Sequence, residues 1–214
     1  MGNVYNKYAS TNPLARHLFR NFLTAVRTLM ARSDPRSILE VGCGEGYLTG
    51  LIRRWHPAAL VVGIDLSERL FDRTQADSTI QFMVQSAYRL GFREESFDLV
   101  VAAEVLEHLE EPEWALEEMR RVSRRDVLLS VPREPIWRLL NLARLSYVRA
   151  WGNTPGHVQH WSSREFRRMV EGSFQVLGEA RPLPWTVILA RKEGSRPGAS
   201  GTMMRRCATG AGIR

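Results

Sequence analysis

The fold of this chain is decided by the stretch Ile38-Leu39-Glu40-Val41-Gly42-Cys43-Gly44-Glu45-Gly46-Tyr47-Leu48-Thr49. An apolar run leads into three glycines at alternate positions, and an apolar helical pattern follows. Glycine has no Cβ, so a turn of this kind brings the backbone close to a bound ligand. The stretch therefore predicts a strand, a ligand-binding loop and a helix, in that order.

Outward from this loop, short apolar runs alternate with helical patterns. Strands are predicted at 37–41, 60–64, 80–84, 97–102, 127–131, 174–178 and 185–190, and helices at 12–31, 47–55, 67–76, 113–122 and 162–171. This alternation indicates right-handed crossovers and a parallel sheet. The turn around Pro182 and Pro184 leaves no room for a crossover helix, so the last strand should be antiparallel.

We therefore predict an α/β fold with a doubly wound, mostly parallel, seven-stranded, Rossmann-like sheet. It carries an antiparallel last strand and a helical lid insertion at 133–161. One domain should cover 1–192, with an N-terminal helical cap at 1–35. Residues 193–214 are rich in Gly, Ser, Thr and Arg, and we predict a disordered tail. No apolar run is long enough to span a bilayer and no secretory signal is evident, so a cytoplasmic location is expected.

A net charge of +7 is typical of proteins that bind nucleic acid, but the distribution of this charge along the chain does not support such binding. A charge of +3 comes from residues 193–214, and nearly all basic residues of the chain are arginine, which indicates a coding bias. No nucleic-acid partner is expected. Two cysteines, Cys43 and Cys207, form no disulfide framework, and no Cys/His cluster has zinc spacing. No metal site is predicted from the sequence.

Two acidic residues limit the kind of ligand. Asp65 ends the next predicted strand, where a carboxylate can hydrogen-bond ribose hydroxyls. Glu40 precedes the glycine loop, and its negative charge suits a cationic ligand better than a pyrophosphate. The dinucleotide pattern fails because Tyr47 stands at its last glycine, and no Gly-Lys-Ser/Thr of a Walker loop occurs.

Four segments of the chain form a recognisable set: ILEVGCGEGYLT (38–49), VVGIDLSERL (61–70), SFDLVVAAEVLEHLEEPEWALEEMRRV (96–122) and DVLLSVP (126–132). Together they resemble the class I S-adenosylmethionine-dependent methyltransferases, especially the small-molecule, ubiquinone-biosynthesis-like subgroup known as methyltransferase type 11. The resemblance covers about residues 36–132.

The resemblance implies an S-adenosylmethionine site. Glu40 would lie near the methionine amino group and Glu104 near the methionine end or the acceptor. The remaining residues would contact the cofactor backbone, ribose and adenine: Gly42, Gly44, Asp65, Leu66, Ser86 and Ala87. Ser86 departs from the family's usual aspartate, which predicts adenine recognition that is either weaker or dependent on backbone groups.

The segment 133–161 follows the fifth strand, so it should lie beside the cofactor. Apolar residues alternate with arginines there, which predicts an amphipathic helix. Three roles are predicted for this segment: a structural lid, a wall of the substrate pocket, or transient contact with an anionic membrane through residues 133–150. His157 and His160 are the candidate catalytic bases, although either could cap the following helix. Glu107-His108 is interpreted as a pocket wall rather than a catalytic pair.

The predicted function is direct displacement of a methyl group from the sulfonium to a small-molecule acceptor. The acceptor atom is expected to be an oxygen of a secondary metabolite, sugar, quinone or lipid-linked compound, and a hydroxyl acceptor requires a base. Two alternatives stay open: a nucleic-acid methyltransferase, although no Asn/Asp-Pro-Pro-Tyr motif occurs, and a catalytically silent cofactor-binding partner subunit. The sequence leaves the oligomeric state open.

Overall fold

A computed structural model of the protein describes residues 12–67, 79–143, 154 and 156–194. Their elements, in chain order, are α1 (Pro13–Met30), β1 (Ser37–Val41), α2 (Tyr47–Trp55), β2 (Leu60–Asp65), β3 (Ile80–Val84), β4 (Phe97–Ala103), a short 3₁₀ helix (Leu106–His108), α3 (Pro112–Val122), β5 (Ser123–Pro132), α4 (Ile136–Ala143), α5 (Ser163–Glu171), β6 (Gln175–Ala180) and β7 (Trp185–Arg191).

All seven strands join one sheet in the order β3-β2-β1-β4-β5-β7-β6. The pairs among β1 to β5 are parallel, and β7 is antiparallel to both of its neighbours. The predicted fold class and the antiparallel last strand are thus confirmed. Because β1 lies between β2 and β4, the strand order reverses there, and ligands of such sheets bind beyond the carboxyl ends of the strands at this point.

Successive residues of each strand point to opposite faces of the sheet, and each face has its own core. In β1, Ile38 packs with α1 and α2, whereas Leu39 packs with α3 and α5. Both side chains are fully buried. The sheet therefore lies between two helical layers, as the alternating pattern predicted.

Two helices begin where the sequence predicted, because each has a capping side chain. Asn12 Oδ1 accepts the N–H of Leu14 at 2.9 Å at the start of α1, and Pro13 occupies the first helical position. At α5, Ser162 Oγ accepts the N–H of Glu165 and Glu165 Oε2 accepts the N–H of Ser162. These reciprocal bonds form a capping box.

Strand β5 is the largest departure from the predicted boundaries, since it starts at Ser123 rather than at residue 127. The residues Ser-Arg-Arg-Asp are polar and look like a loop. In the structure, the buried Asp126 accepts bonds from the Ser33 hydroxyl at 2.6 Å and from Arg191 Nε at 2.7 Å. Tertiary partners therefore satisfy this polar stretch in the sheet. Strand β6 is also shifted, to Gln175–Ala180.

Several predicted segments lie outside the described residues, namely most of the helix at 67–76, the residues before Asn12, and the tail from residue 195 on. The insertion 133–161 is described at 133–143, 154 and 156–161. Its two ends meet, because the N–H of Glu134 donates to the Trp161 carbonyl at 2.9 Å. Among the helices of the described ranges, none is long and apolar enough to cross a membrane.

Candidate functional site

The glycine loop lies at the carboxyl end of β1. Two of its positions require glycine, each for a different physical reason. Gly42 has a φ of +70°, and a Cβ there would lie 2.5 Å from Val105 Cγ2. Gly44 has a φ of +54°, and a Cβ there would meet no heavy atom within 4 Å. Gly42 therefore allows the loop to pack against the segment after β4, whereas Gly44 presents bare backbone to an open space.

The end of β2 is tied to this loop. Asp65 Oδ2 accepts the N–H of Gly44 at 2.9 Å, and the Ile64 carbonyl accepts the N–H of Cys43 at 2.9 Å. Beside Asp65, the side chain of Leu66 is 71% exposed. The structure thus brings Gly44 and Asp65 together, and the exposed Leu66 follows Asp65 in the chain.

Glu40 lies beneath the loop, and only 2% of its surface is exposed. Burial raises the pKa of its carboxyl to about 8, against the lowering effect of the Thr49 hydroxyl, which donates to Glu40 Oε2 at 2.6 Å. The negative charge of Asp65 raises this pKa further. At neutral pH the carboxyl is thus mostly protonated, and a cation bound nearby would favour its ionised form.

Ser86 and Ala87 follow β3 next to the same edge. The N–H of Gln85 donates to the Asp65 carbonyl at 2.9 Å, which fixes this turn beside β2. Ser86 Oγ accepts the N–H of Tyr88 at 3.2 Å, so the serine hydroxyl holds its own turn. Ala87 packs against the core on the α3 side.

Glu104 follows β4 directly and adopts a φ of +62°, in the left-handed region that non-glycine residues seldom occupy. Its N–H donates to the Ser130 carbonyl at 3.1 Å, and its Oε2 accepts from Trp185 Nε1 at 2.7 Å. These bonds hold the glutamate at the carboxyl ends of β4 and β5. Backbone strain held in place by the surrounding structure is common at functional sites.

An aromatic wall, which the sequence analysis missed, continues from Glu104 toward the insertion. The ring centroid of Trp185 lies 4.9 Å from that of Phe22 and 5.8 Å from that of Trp137, and Trp137 stacks on His157 at 6.0 Å. A signal was present, because Trp185 begins an antiparallel strand. The start of such a strand lies at the same edge as the ends of its parallel neighbours.

The structure separates the two candidate histidines. His157 is 5% exposed and faces His108, with ring centroids 4.8 Å apart. His160 Nδ1 lies 3.7 Å from Glu134 Oε1, and partial burial together with the charge of Arg138 holds the pKa of His160 below its usual value. Only His157 is thus placed with the aromatic wall.

His157 also meets Glu107 and His108, which are far from it in the sequence. The N–H groups of Val158 and Gln159 donate to the Glu107 carbonyl at 2.9 and 3.1 Å. These bonds clamp the loop that carries His157 onto the short 3₁₀ helix. Glu107 and His108 therefore lie next to His157, and the interpretation of this pair as a pocket wall stays a prediction.

The chain is similar to methyltransferases of known sequence. A family model described as "Methyltransferase domain" matches residues 39–131. The trans-aconitate 2-methyltransferase of Azoarcus sp. is 34% identical over 153 residues, which cover 64% of this chain and 60% of that protein. The ubiquinone biosynthesis O-methyltransferase of Coxiella burnetii is 31% identical over 83 residues, covering 36% of this chain and 35% of that enzyme.

Among solved structures, magnesium protoporphyrin IX methyltransferase from Synechocystis, with bound SAH, superposes with a TM-score of 0.64 at 18% identity, and the match covers 86% of this chain and 89% of that one. This likeness shows the fold. The chain spans between 35% and 60% of the length of the curated relatives it matches. Residues 39–131 are thus similar to methyltransferase domains, and the fold of the chain is that of solved S-adenosylmethionine-dependent methyltransferases.

Proposed function

We propose that this protein binds S-adenosylmethionine and transfers its methyl group to an oxygen atom of a small-molecule acceptor. The observation that carries the proposal is the open space at Gly44, bordered by the Asp65 carboxylate and the exposed Leu66. A nucleoside needs this combination, because its ribose hydroxyls seek a carboxylate and its base seeks an apolar surface.

The residues present fit this donor. Asp65 uses Oδ2 to hold the loop, and we assign Oδ1 to a ribose hydroxyl. Glu40 is a buried carboxyl whose pKa of about 8 leaves it able to ionise beside a cation. The donor supplies a methyl group already activated on a sulfonium. The task left to the chain is to align the acceptor atom and to exclude water.

We assign the acceptor to the wall formed by Trp137, Trp185 and His157. This wall is mostly apolar with few polar groups, the composition that pockets for small molecules use. We assign His157 to the acceptor, whereas His160 Nδ1 lies 3.7 Å from Glu134 Oε1, outside this wall. An oxygen acceptor suits a histidine, and the similarity to an O-methyltransferase supports the same choice.

Donor binding is tested by isothermal titration calorimetry with S-adenosylmethionine. We expect one site per chain, and Asp65→Ala should weaken binding roughly ten- to a hundredfold, because a buried charge-assisted hydrogen bond contributes about 1.5–3 kcal/mol. Glu171→Ala, on α5, removes a surface carboxylate and serves as the matched control. Unchanged affinity in Asp65→Ala would remove the ribose assignment.

Methyl transfer is tested by following a labelled methyl group from the donor into fractions of small-molecule extracts and, separately, into nucleic acid. We expect label in the small-molecule fractions. His157→Ala should lower turnover by about 10²–10⁴-fold while donor affinity stays within a few-fold. His160→Ala should keep its turnover. Label in nucleic acid alone would favour the alternative substrate, and no label in any fraction would favour the silent subunit.

A further inference from the structure

Three side chains that can bind a metal ion meet on the acceptor side. They are the carboxyl of Glu107 and the imidazoles of His108 and His157, and each offers a ligand atom within 4.8 Å of the others. Glu107 is 1% exposed, and His157 is almost as deeply buried. One carboxyl and two imidazoles are side chains that bind divalent transition-metal ions.

Main-chain hydrogen bonds join the two segments that carry Glu107, His108 and His157. The Glu107 carbonyl accepts the N–H groups of Val158 and Gln159, which fixes the two segments against each other. These bonds fix the backbones of the two segments, so only the side chains have to move when an ion binds.

The hydrogen bond of His108 also favours the Nδ1–H tautomer, which leaves Nε2 able to bind a metal ion. Its Nδ1 lies 2.8 Å from the Gly156 carbonyl oxygen. A carbonyl can only accept, so Nδ1 carries the proton and donates it, and the lone pair resides on Nε2. Metal-binding histidines commonly donate their second ring N–H to a carbonyl or a carboxylate in this manner.

The spacing suits a small divalent ion after slight movement. At metal–ligand distances of about 2.1 Å, the ligands of a tetrahedral site lie roughly 3.4 Å apart. The three ligand atoms lie within 4.8 Å of one another, so each has to move by roughly an ångström to reach that spacing.

We propose that Glu107, His108 and His157 bind one divalent transition-metal ion, with Zn²⁺ as the preferred occupant. Two imidazoles and one carboxylate suit Zn²⁺ far better than Mg²⁺, which prefers oxygen ligands. Three protein ligands leave a position for an oxygen of another molecule. Val105, two residues before Glu107, packs on Gly42, so the cluster lies near the glycine loop.

Metal binding does not depend on the proposed function, but the role of the ion in methyl transfer does. An oxygen ligand bound to such an ion loses its proton at a lower pH than in water. His157 would then act on the acceptor through the ion, because a coordinated imidazole nitrogen has no lone pair left to take a proton.

The test uses the full-length, untagged protein after chelator treatment, titrated with Zn²⁺ alone by calorimetry and with Co²⁺ by visible absorption. We expect one ion per chain and Co²⁺ d–d bands typical of nitrogen and oxygen ligands. An excess of Zn²⁺ of about a hundredfold over its Kd should raise Tm by roughly 5–10 °C.

His108→Ala, Glu107→Gln and His157→Ala should each weaken Zn²⁺ binding by at least about a hundredfold, more than the loss of an outer-shell partner. His160→Ala, a nearby histidine outside the cluster, is the matched control and should keep the affinity. His108 is the least buried of the three ligands, so its variant keeps the test valid if the other two fail to fold.

The proposal is overturned if the wild-type protein binds no Zn²⁺ or Co²⁺ below 100 μM (a limit of about 5.5 kcal/mol), or if binding survives in His108→Ala. Donor affinity of the metal-free protein is measured in parallel. Donor binding without metal binding refutes only the metal site, and metal binding without donor binding refutes only the proposed function.

Discussion

Replacing Glu40 by glutamine should make the stability of the protein less sensitive to pH. In the wild-type chain, burial raises the pKa of the Glu40 carboxyl from 4.5 to about 8. Glutamine keeps the size of this side chain, accepts the bond from the Thr49 hydroxyl through its amide oxygen, and cannot ionise. The variant therefore imitates the protonated carboxyl at every pH.

The direction of the pH dependence of stability follows from the number of protons that the folded and unfolded chains bind. Between pH 4.5 and 8 the folded chain holds a proton on Glu40 that the unfolded chain has lost. The contribution of this carboxyl to the free energy of unfolding is thus fully present below pH 4.5 and is lost as pH rises toward 8. The slope is at most about 1.4 kcal/mol per pH unit. From pH 5 to pH 8 the variant should gain up to about 4 kcal/mol relative to the wild type.

Urea unfolding of the donor-free protein at several pH values measures this difference. The matched control is Glu165→Gln at the start of α5, where bonds from the Ser162 backbone and hydroxyl lower the pKa of the carboxyl. A lowered pKa contributes stability that is lost only as pH falls, so this control should differ from the wild type by a constant amount between pH 5 and 8. A Glu40→Gln difference that is equally constant would refute the raised pKa.

The remaining predictions use thermal unfolding and calorimetry. Gly42→Ala should lower Tm by several degrees, because alanine is strained by about 1 kcal/mol at positive φ and meets Val105. Adding Val105→Ala should relieve the clash, so the double variant should be more stable than the sum of the two single effects by at least about 0.5 kcal/mol; simple additivity would show that the two side chains do not collide. Ser86→Asp should raise affinity for S-adenosylmethionine about three- to tenfold through one charge-assisted bond, and equal affinity would show that the serine turn is no handicap. Deleting residues 196–214 should leave Tm and donor binding unchanged, since their composition cannot form a core, and a clear fall in Tm would show that the tail docks.

Local patterns in the sequence were sufficient for the frame of the protein. The apolar run before Gly42 and the helical pattern after Gly46 defined β1, the loop and α2, because hydrophobic periodicity and glycine turns act over a few residues. The short turn at Pro182 and Pro184 likewise required an antiparallel last strand. Helix starts at Asn12 and Ser162 were readable because capping bonds join near neighbours in the chain.

Element boundaries that depend on contacts with distant residues could not be predicted from the sequence. Strand β5 begins at Ser123 because Asp126 is satisfied by Ser33 and Arg191, which come from the end of α1 and from β7. A run of polar residues looks like a loop when those partners are unknown. Burial, not local propensity, decides such a stretch.

The sequence by itself determined the order of the elements, the glycine loop and the acidic residues at the ends of β1 and β2. Only the tertiary structure decided which histidine contacts the aromatic wall and what surrounds it. Trp185 reaches Glu104 because β7 inserts between β5 and β6, and His157 meets Glu107 and His108 because the insertion folds back onto the short 3₁₀ helix. Strand order and the path of an insertion arise from packing between distant segments, and no local period records them.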